Sequence, residues 1–240
     1  MVREDGRLPD QLRPITFETG FTKWAEGSVL AKFGNTHVLC NVTIEDKLPG
    51  WLRHQENPHG WLTAEYAMLP RSTQRRTKRE QRWPKGRTQE ISRLIGRSLR
   101  IGLDLHQLGE HTITVDCDVL QADGGTRTAA ICGGWVAKAL ALQPFISNGD
   151  MSETVLRHQV AAISVGIVGG NALLDLPYVE DVSADVDFNV VMTASGELIE
   201  VQGTGEKAPF PRIQLDELLD LANKGIKEIV ALQKATITSN

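Results

Sequence analysis

Thr112-Ile113-Thr114-Val115-Asp116-Cys117-Asp118-Val119-Leu120-Gln121-Ala122-Asp123-Gly124-Gly125-Thr126-Arg127 is the stretch that decides how this 240-residue chain is read. Ile113, Val115, Cys117 and Val119 alternate with Thr114, Asp116 and Asp118, the period of a half-buried strand. Two glycines then allow a sharp turn, and Thr128 to about Leu142 continues as a helix of small residues that Pro144 is expected to end. A strand, a glycine turn and a helix start, in that order, bring unpaired backbone N–H groups and the positive end of a helix dipole to one point. With the Thr126 hydroxyl and the Arg127 guanidinium beside them, Gly125, Thr126 and Arg127 read as a cradle for one oxyanion of the size of inorganic phosphate; the same junction also occurs as plain structure. It has neither the spacing of a dinucleotide fingerprint nor the Lys-Ser/Thr ending of a P-loop.

Outward from this stretch, strand patterns dominate both sides. Ser28–Phe33 and His37–Ile44 flank Gly34-Asn35-Thr36 as a hairpin, and Trp61–Leu69 is a further strand closed by Pro70. Thr88 to about Leu105 places Ile91, Leu94, Ile95, Leu99 and Leu103 at helical spacing. Beyond the central helix, strands are expected at Ala161–Val168, Ala172–Leu176, Ala184–Thr193 and Leu198–Gln202. A last helix follows over about Gln214–Lys234. Several strands and then a helix occur twice, which predicts an α+β chain, residues 1–240, built of two similar β-sheet-plus-helix halves, about 1–145 and 146–240.

Charge is distributed unevenly. Of 26 Lys and Arg and 30 Asp and Glu, eight bases and one acid fall within residues 71–87, so a local +7 stands against −11 elsewhere. A single-sign cluster of this kind is the footprint of a polyanion partner. Arg71, Arg75, Arg76, Arg79 and Arg82 are therefore candidate RNA-binding residues, and Trp83 is either a base-stacking platform or a packing anchor. Arg87, at the start of the following helix, is a candidate phosphate ligand, since a guanidinium matches two phosphate oxygens at once.

Carboxylates form the second constellation. Asp185 and Asp187 are expected on the strand face opposite Val186 and Phe188, with Asp181 just upstream. Grouped carboxylates repel one another unless a cation lies between them, and an all-oxygen set suits Mg²⁺; the alternative is a solvated strand face. The six histidines lack metal-ligand spacing, and Cys40, Cys117 and Cys132 sit in apolar stretches as buried thiols rather than disulfide or zinc partners. The first twenty residues are polar, and no run of about 18 apolar residues occurs, so no membrane association and a cytoplasmic location are expected.

Arg13-Pro14-Ile15, Gly27-Ser28-Val29-Leu30, Gly86-Arg87-Thr88-Gln89-Glu90-Ile91, the segment 122–128, Asp187-Phe188-Asn189-Val190-Val191-Met192-Thr193 and Glu200-Val201-Gln202-Gly203-Thr204 together resemble the ribonuclease PH family, in order, from about residue 3 to 235. The resemblance implies a fold similar to domain 2 of ribosomal protein S5 and a homohexamer arranged as a trimer of dimers. It also implies Mg²⁺-dependent phosphorolysis of the 3′ ends of tRNA precursors, with nucleoside diphosphates released and the reverse addition possible. By position it assigns phosphate binding to Arg87, Gly125, Thr126 and Arg127, and catalysis with metal binding to Asp181 and Asp187. Phe188 stands where many relatives have methionine. The rival readings are a non-catalytic RNA-binding ring subunit and, more distantly, a small-molecule kinase.

Overall fold

The structure, a computed structural model, describes residues 3–80 and 85–239. Its first sheet contains β1 (Ile15–Thr19), β2 (Gly27–Phe33), β3 (Thr36–Glu45), β4 (Trp61–Met68) and β5 (Thr112–Gln121), ordered β1-β2-β3-β5-β4. Neighbours are antiparallel except β4 and β5, which run parallel. A parallel pair needs a crossover, and the chain supplies it between β4 and β5. A single helical turn, α1 (Gly50–Arg53), precedes β4, and α2 (Gly86–Ile101) forms the crossover, packed on β4 with Ile91, Leu94, Ile95 and Leu99 buried.

The second sheet is antiparallel throughout, ordered β7-β6-β8-β9 from β6 (Val160–Val168), β7 (Asn171–Leu174), β8 (Val186–Thr193) and β9 (Leu198–Gly205). The central helix α3 (Thr126–Ser147) touches β2 and β3 of one sheet and β6 of the other, so both sheets share one hydrophobic core. Between β7 and β8 lies the short helix α4 (Tyr178–Ser183), and α5 (Arg212–Thr238) closes the chain. By length and composition α3 could cross a membrane, but its apolar surface is taken up by that core.

The expected α+β character and the strand pattern are found, with β5 matching Thr112–Gln121 residue for residue. Local details differ. Pro144 does not end α3, which runs on to Ser147. The ring lies on the exposed side, where the carbonyl it leaves without an amide can turn to solvent, and the left-handed Gly149 ends the helix instead. Asp181 sits on α4, a helix too short to show a period. The strand expected from Ala184 begins at Val186, so Asp185 stays outside it, half exposed and paired with Lys207 at 2.9 Å. β1 adds an edge strand that the five residues ITFET do not signal on their own.

Candidate active site

Where β5 ends and α3 begins, a cavity of about 1120 Å³ opens on the first sheet's margin. Gly124 and Gly125 make the turn with φ of 73° and 67°, a region closed to most side chains. Gly124 is needed twice over, because a Cβ there would stand 2.4 Å from the carbonyl oxygen of Leu176. Gly125 caps α3 and no side chain fills the cap, so the first amides of a 22-residue helix stay available to an anion. Thr126 is buried against β4, its hydroxyl 2.8 Å from that of Tyr66. Burial raises the Tyr66 pKa, with the Thr126 hydrogen bond opposing, so the phenol stays protonated.

Two arginines reach this point from different helices. Arg127 is held by Gln202 at 2.8 Å and Glu90 at 3.3 Å, which fixes the guanidinium between β9 and α2. Arg87, in the first turn of α2, is exposed and lines the same cavity. Across from them stand Asp181 and Asp187. Burial pushes the Asp187 pKa up to about 6, the charge of Asp181 adds to this, and Arg127 and Arg87 offset only part. Its Oδ1 is buried without a hydrogen-bond partner. Burial also raises Asp181, against the pull of Arg87 and Arg127.

The cavity therefore gathers Arg87, Gly125, Thr126, Arg127, Asp181 and Asp187, residues far apart in sequence. Of the basic segment, Arg71 and Arg75 stand on the cavity wall. Arg76 and Arg79 do not; the Arg79 charge acts instead on Asp118, on β5. Arg82 and Trp83 lie outside the described residues. Among those residues, no group of three or more His, Cys, Asp or Glu is placed to hold a metal. The two carboxylates alone are still a fitting donor set for Mg²⁺, which commonly takes one or two carboxylates and fills its remaining positions with water and substrate phosphates.

Sequence reasoning passed over Asn189, Ser164 and Tyr178, which also line the cavity. Asn189 could have been found, since it lies two positions after Asp187 and shares its strand face. Ser164 could not, because it is brought opposite Asn189 only by the pairing of β6 with β8.

Models of the 3′ exoribonuclease family match the chain in two parts, domain 1 over residues 11–143 and domain 2 over residues 158–225. Among curated proteins, Ribonuclease PH of Crocosphaera subtropica is 58% identical over 236 residues, covering 98% of each chain. Ribonuclease PH of Synechococcus elongatus is 56% identical over 232 residues, 97% of each. Among solved structures, rice Rrp46 superposes with a TM-score of 0.79 at 18% identity, over 98% of this chain and 100% of that one. A chain of the Archaeoglobus fulgidus exosome, solved with RNA bound to the active site, gives 0.76 at 23% identity, over 95% and 91%. These likenesses bear out the fold expected from the sequence.

Proposed function

Since the chain belongs to the ribonuclease PH family of 3′ exoribonucleases, phosphate-dependent enzymes acting on tRNA, we propose that it trims the 3′ ends of tRNA precursors by phosphorolysis in the cavity at the start of α3. The single observation that carries the site assignment is the convergence of an uncapped helix start, two arginines and two carboxylates of raised pKa in one cavity.

Phosphorolysis brings two anions together. Inorganic phosphate must attack the last phosphodiester phosphorus in line while the 3′ oxygen of the preceding nucleotide leaves. Arg87, Arg127, the Thr126 hydroxyl and the N–H groups around Gly125 would hold the attacking phosphate and offset the repulsion. The new bond joins a phosphate oxygen to phosphorus, the bond to the 3′ oxygen breaks, and that oxygen takes up a proton. Products are a nucleoside 5′-diphosphate and an RNA one nucleotide shorter. One anhydride bond replaces one ester bond, so abundant diphosphate drives nucleotide addition to RNA 3′ ends.

Asp181 and Asp187 would hold Mg²⁺, the orphaned Oδ1 of Asp187 being the donor without another partner. Held by these two carboxylates, the ion would supply electrostatic stabilisation of the charge that develops during transfer. In the alternative role, with no ion on it, Asp187 would instead give the leaving oxygen its proton. Arg71 and Arg75 on the wall, with Arg76 and Arg79 beyond it, would track the RNA backbone towards the cavity, and Arg82, outside the described residues, is proposed for the same role from its place in the basic run.

The proposal extends to organisation. Residues 1–240 would act as one unit of two halves, 1–145 and 146–240, because α3 belongs to the core of both sheets. A homohexamer, as a trimer of dimers, would cover large apolar side chains that a single chain leaves out, among them Trp24 at 86% and Ile213 at 71% exposure. A solution mass measurement tests this; a stable monomer would contradict it. The three thiols are buried without disulfides, in keeping with work in the reducing cytoplasm.

The reaction is tested by product analysis on a tRNA precursor. Nucleoside diphosphates, formed only when inorganic phosphate is present, are expected. Monophosphates released in phosphate-free buffer would refute phosphorolysis. RNA binding without phosphate-dependent turnover would favour the non-catalytic ring subunit.

A further inference from the structure

Three arginines of the N-terminal segment turn away from the cavity and into the protein behind it. Arg3, Arg7 and Arg13 are buried, and their partners converge on one residue, Asp175, which is 1% exposed. Arg13 grips the Asp175 carboxylate with both arms, Nη2 to Oδ1 at 2.7 Å and Nε to Oδ2 at 3.0 Å, and its backbone N–H donates to Oδ2 at 2.8 Å. The same guanidinium donates to the carbonyl oxygens of Asp123 at 2.6 Å and Gly124 at 3.5 Å, the turn that opens the cradle. Arg7 and Arg3 each donate to the Asp175 carbonyl oxygen at 3.0 Å. Arg3 also grips Glu180 with two bonds, at 2.9 and 2.5 Å.

Glu180 immediately precedes Asp181 on α4, and Asp175 stands at the head of the short link into that helix. Asp175 has φ of 56°, the left-handed region that non-glycine residues rarely occupy, so this hub is a conformation held by its surroundings. The turn and the link also touch directly, with no room for a methyl group at Gly124 against Leu176 and Tyr178.

We infer that Arg13 and Asp175 are a positioning pair that sets the spacing between the phosphate-holding turn 123–127 and the carboxylate-bearing helix α4, with Arg3 and Glu180 holding α4 in the same frame. In-line transfer depends on that spacing, because the attacking phosphate belongs to one segment and the carboxylates beside the leaving oxygen belong to the other. Neither Arg13 nor Asp175 lines the cavity. The inference rests on the site assignment proposed above.

Arg13→Lys tests it, since lysine keeps the charge but has one nitrogen where the guanidinium uses three. The expected result is a rise of about tenfold or more in the KM for inorganic phosphate, with affinity for a tRNA precursor within about twofold, at a temperature where the variant is folded. Glu180→Gln should instead lower kcat by about threefold or more with the phosphate KM unchanged, because it loosens Asp181 and leaves the cradle alone. Arg127→Ala is measured in parallel. If Arg127→Ala raises the phosphate KM and Arg13→Lys does not, the positioning pair is overturned and the cradle stands. If neither moves it, the cradle assignment fails and the inference falls with it. Should Arg13→Lys not fold, Glu180→Gln decides: an unchanged kcat overturns the shared frame, and a lower kcat at constant phosphate KM supports it.

Discussion

Asp175 and Asp187 are carboxylates of the same half of the chain, and their surroundings are opposite. Burial alone would raise the Asp175 pKa, yet the charge and hydrogen bonds of Arg13, with Arg7 behind, hold it below the ordinary carboxylate range. Asp187 is less buried and is nevertheless pushed up to about 6, because burial and the charge of Asp181 outweigh the pull of Arg127 and Arg87. Arg13 donates to both carboxylate oxygens of Asp175, whereas Arg127 gives its hydrogen bonds to Glu90 and Gln202. A carboxylate whose oxygens are all partnered holds the fold together. One left with a buried, unpartnered oxygen at the edge of a cavity lowers stability, and that is the condition in which it can take a cation or a proton.

Exchanging each carboxylate for its amide breaks the comparison most sharply. Asp187→Asn should reduce phosphorolysis by roughly a thousandfold or more while leaving the fold intact, measured as diphosphate release under saturating phosphate. Asp175→Asn should act on the fold: removing one partner of a buried ion pair costs about 3–5 kcal/mol. For a chain of this size that lowers Tm by roughly 6 °C or more by calorimetry. Arg127→Ala should lose at least about tenfold at limiting phosphate, about 1.4 kcal/mol, while still binding RNA. Arg71→Ala or Arg75→Ala should have the smallest effect, weakening RNA binding by a few-fold and reducing the salt slope by about 0.7 for each phosphate no longer neutralised, with phosphate KM unchanged.

The stable half of this comparison was not legible in the sequence, and the exposed half largely was. Gly124-Gly125-Thr126-Arg127 announces a helix start with free amides because glycine and dipole act locally. Residues 71–87 announce a polyanion surface because charge is visible without a fold. Arg13 and Asp175, in contrast, are far apart in the chain, and no local pattern joins an arginine before a proline to an aspartate after two leucines. Asp181 and Asp185 show the same limit at short range. The strand that the pattern starts at Ala184 begins at Val186, and a six-residue helix between Pro177 and Ala184 has too few turns to show a period. For Asp187 and Phe188 the two-residue period alone predicts opposite faces, and that is where β8 has them: Phe188 packs edge-on against Phe210 while Asp187 faces the cavity.

The raised carboxylate also fixes a sign with pH. The folded chain holds the Asp187 proton more tightly than the unfolded chain, whose carboxylate titrates near ~3.9. Its ionisation therefore removes stability as pH rises from about 4 through about 6, and the full penalty is present above that. The most direct measurement is the difference in unfolding free energy between Asp187→Asn and the unaltered chain across this range, in chelator and without phosphate. The variant is expected to be the more stable protein above pH 6, by on the order of 2 kcal/mol, with an advantage that fades towards pH 4. A variant that is less stable throughout, or a difference that does not change with pH, would show that Asp187 is an ordinary satisfied side chain and not a carboxylate left poised for a cation or a proton.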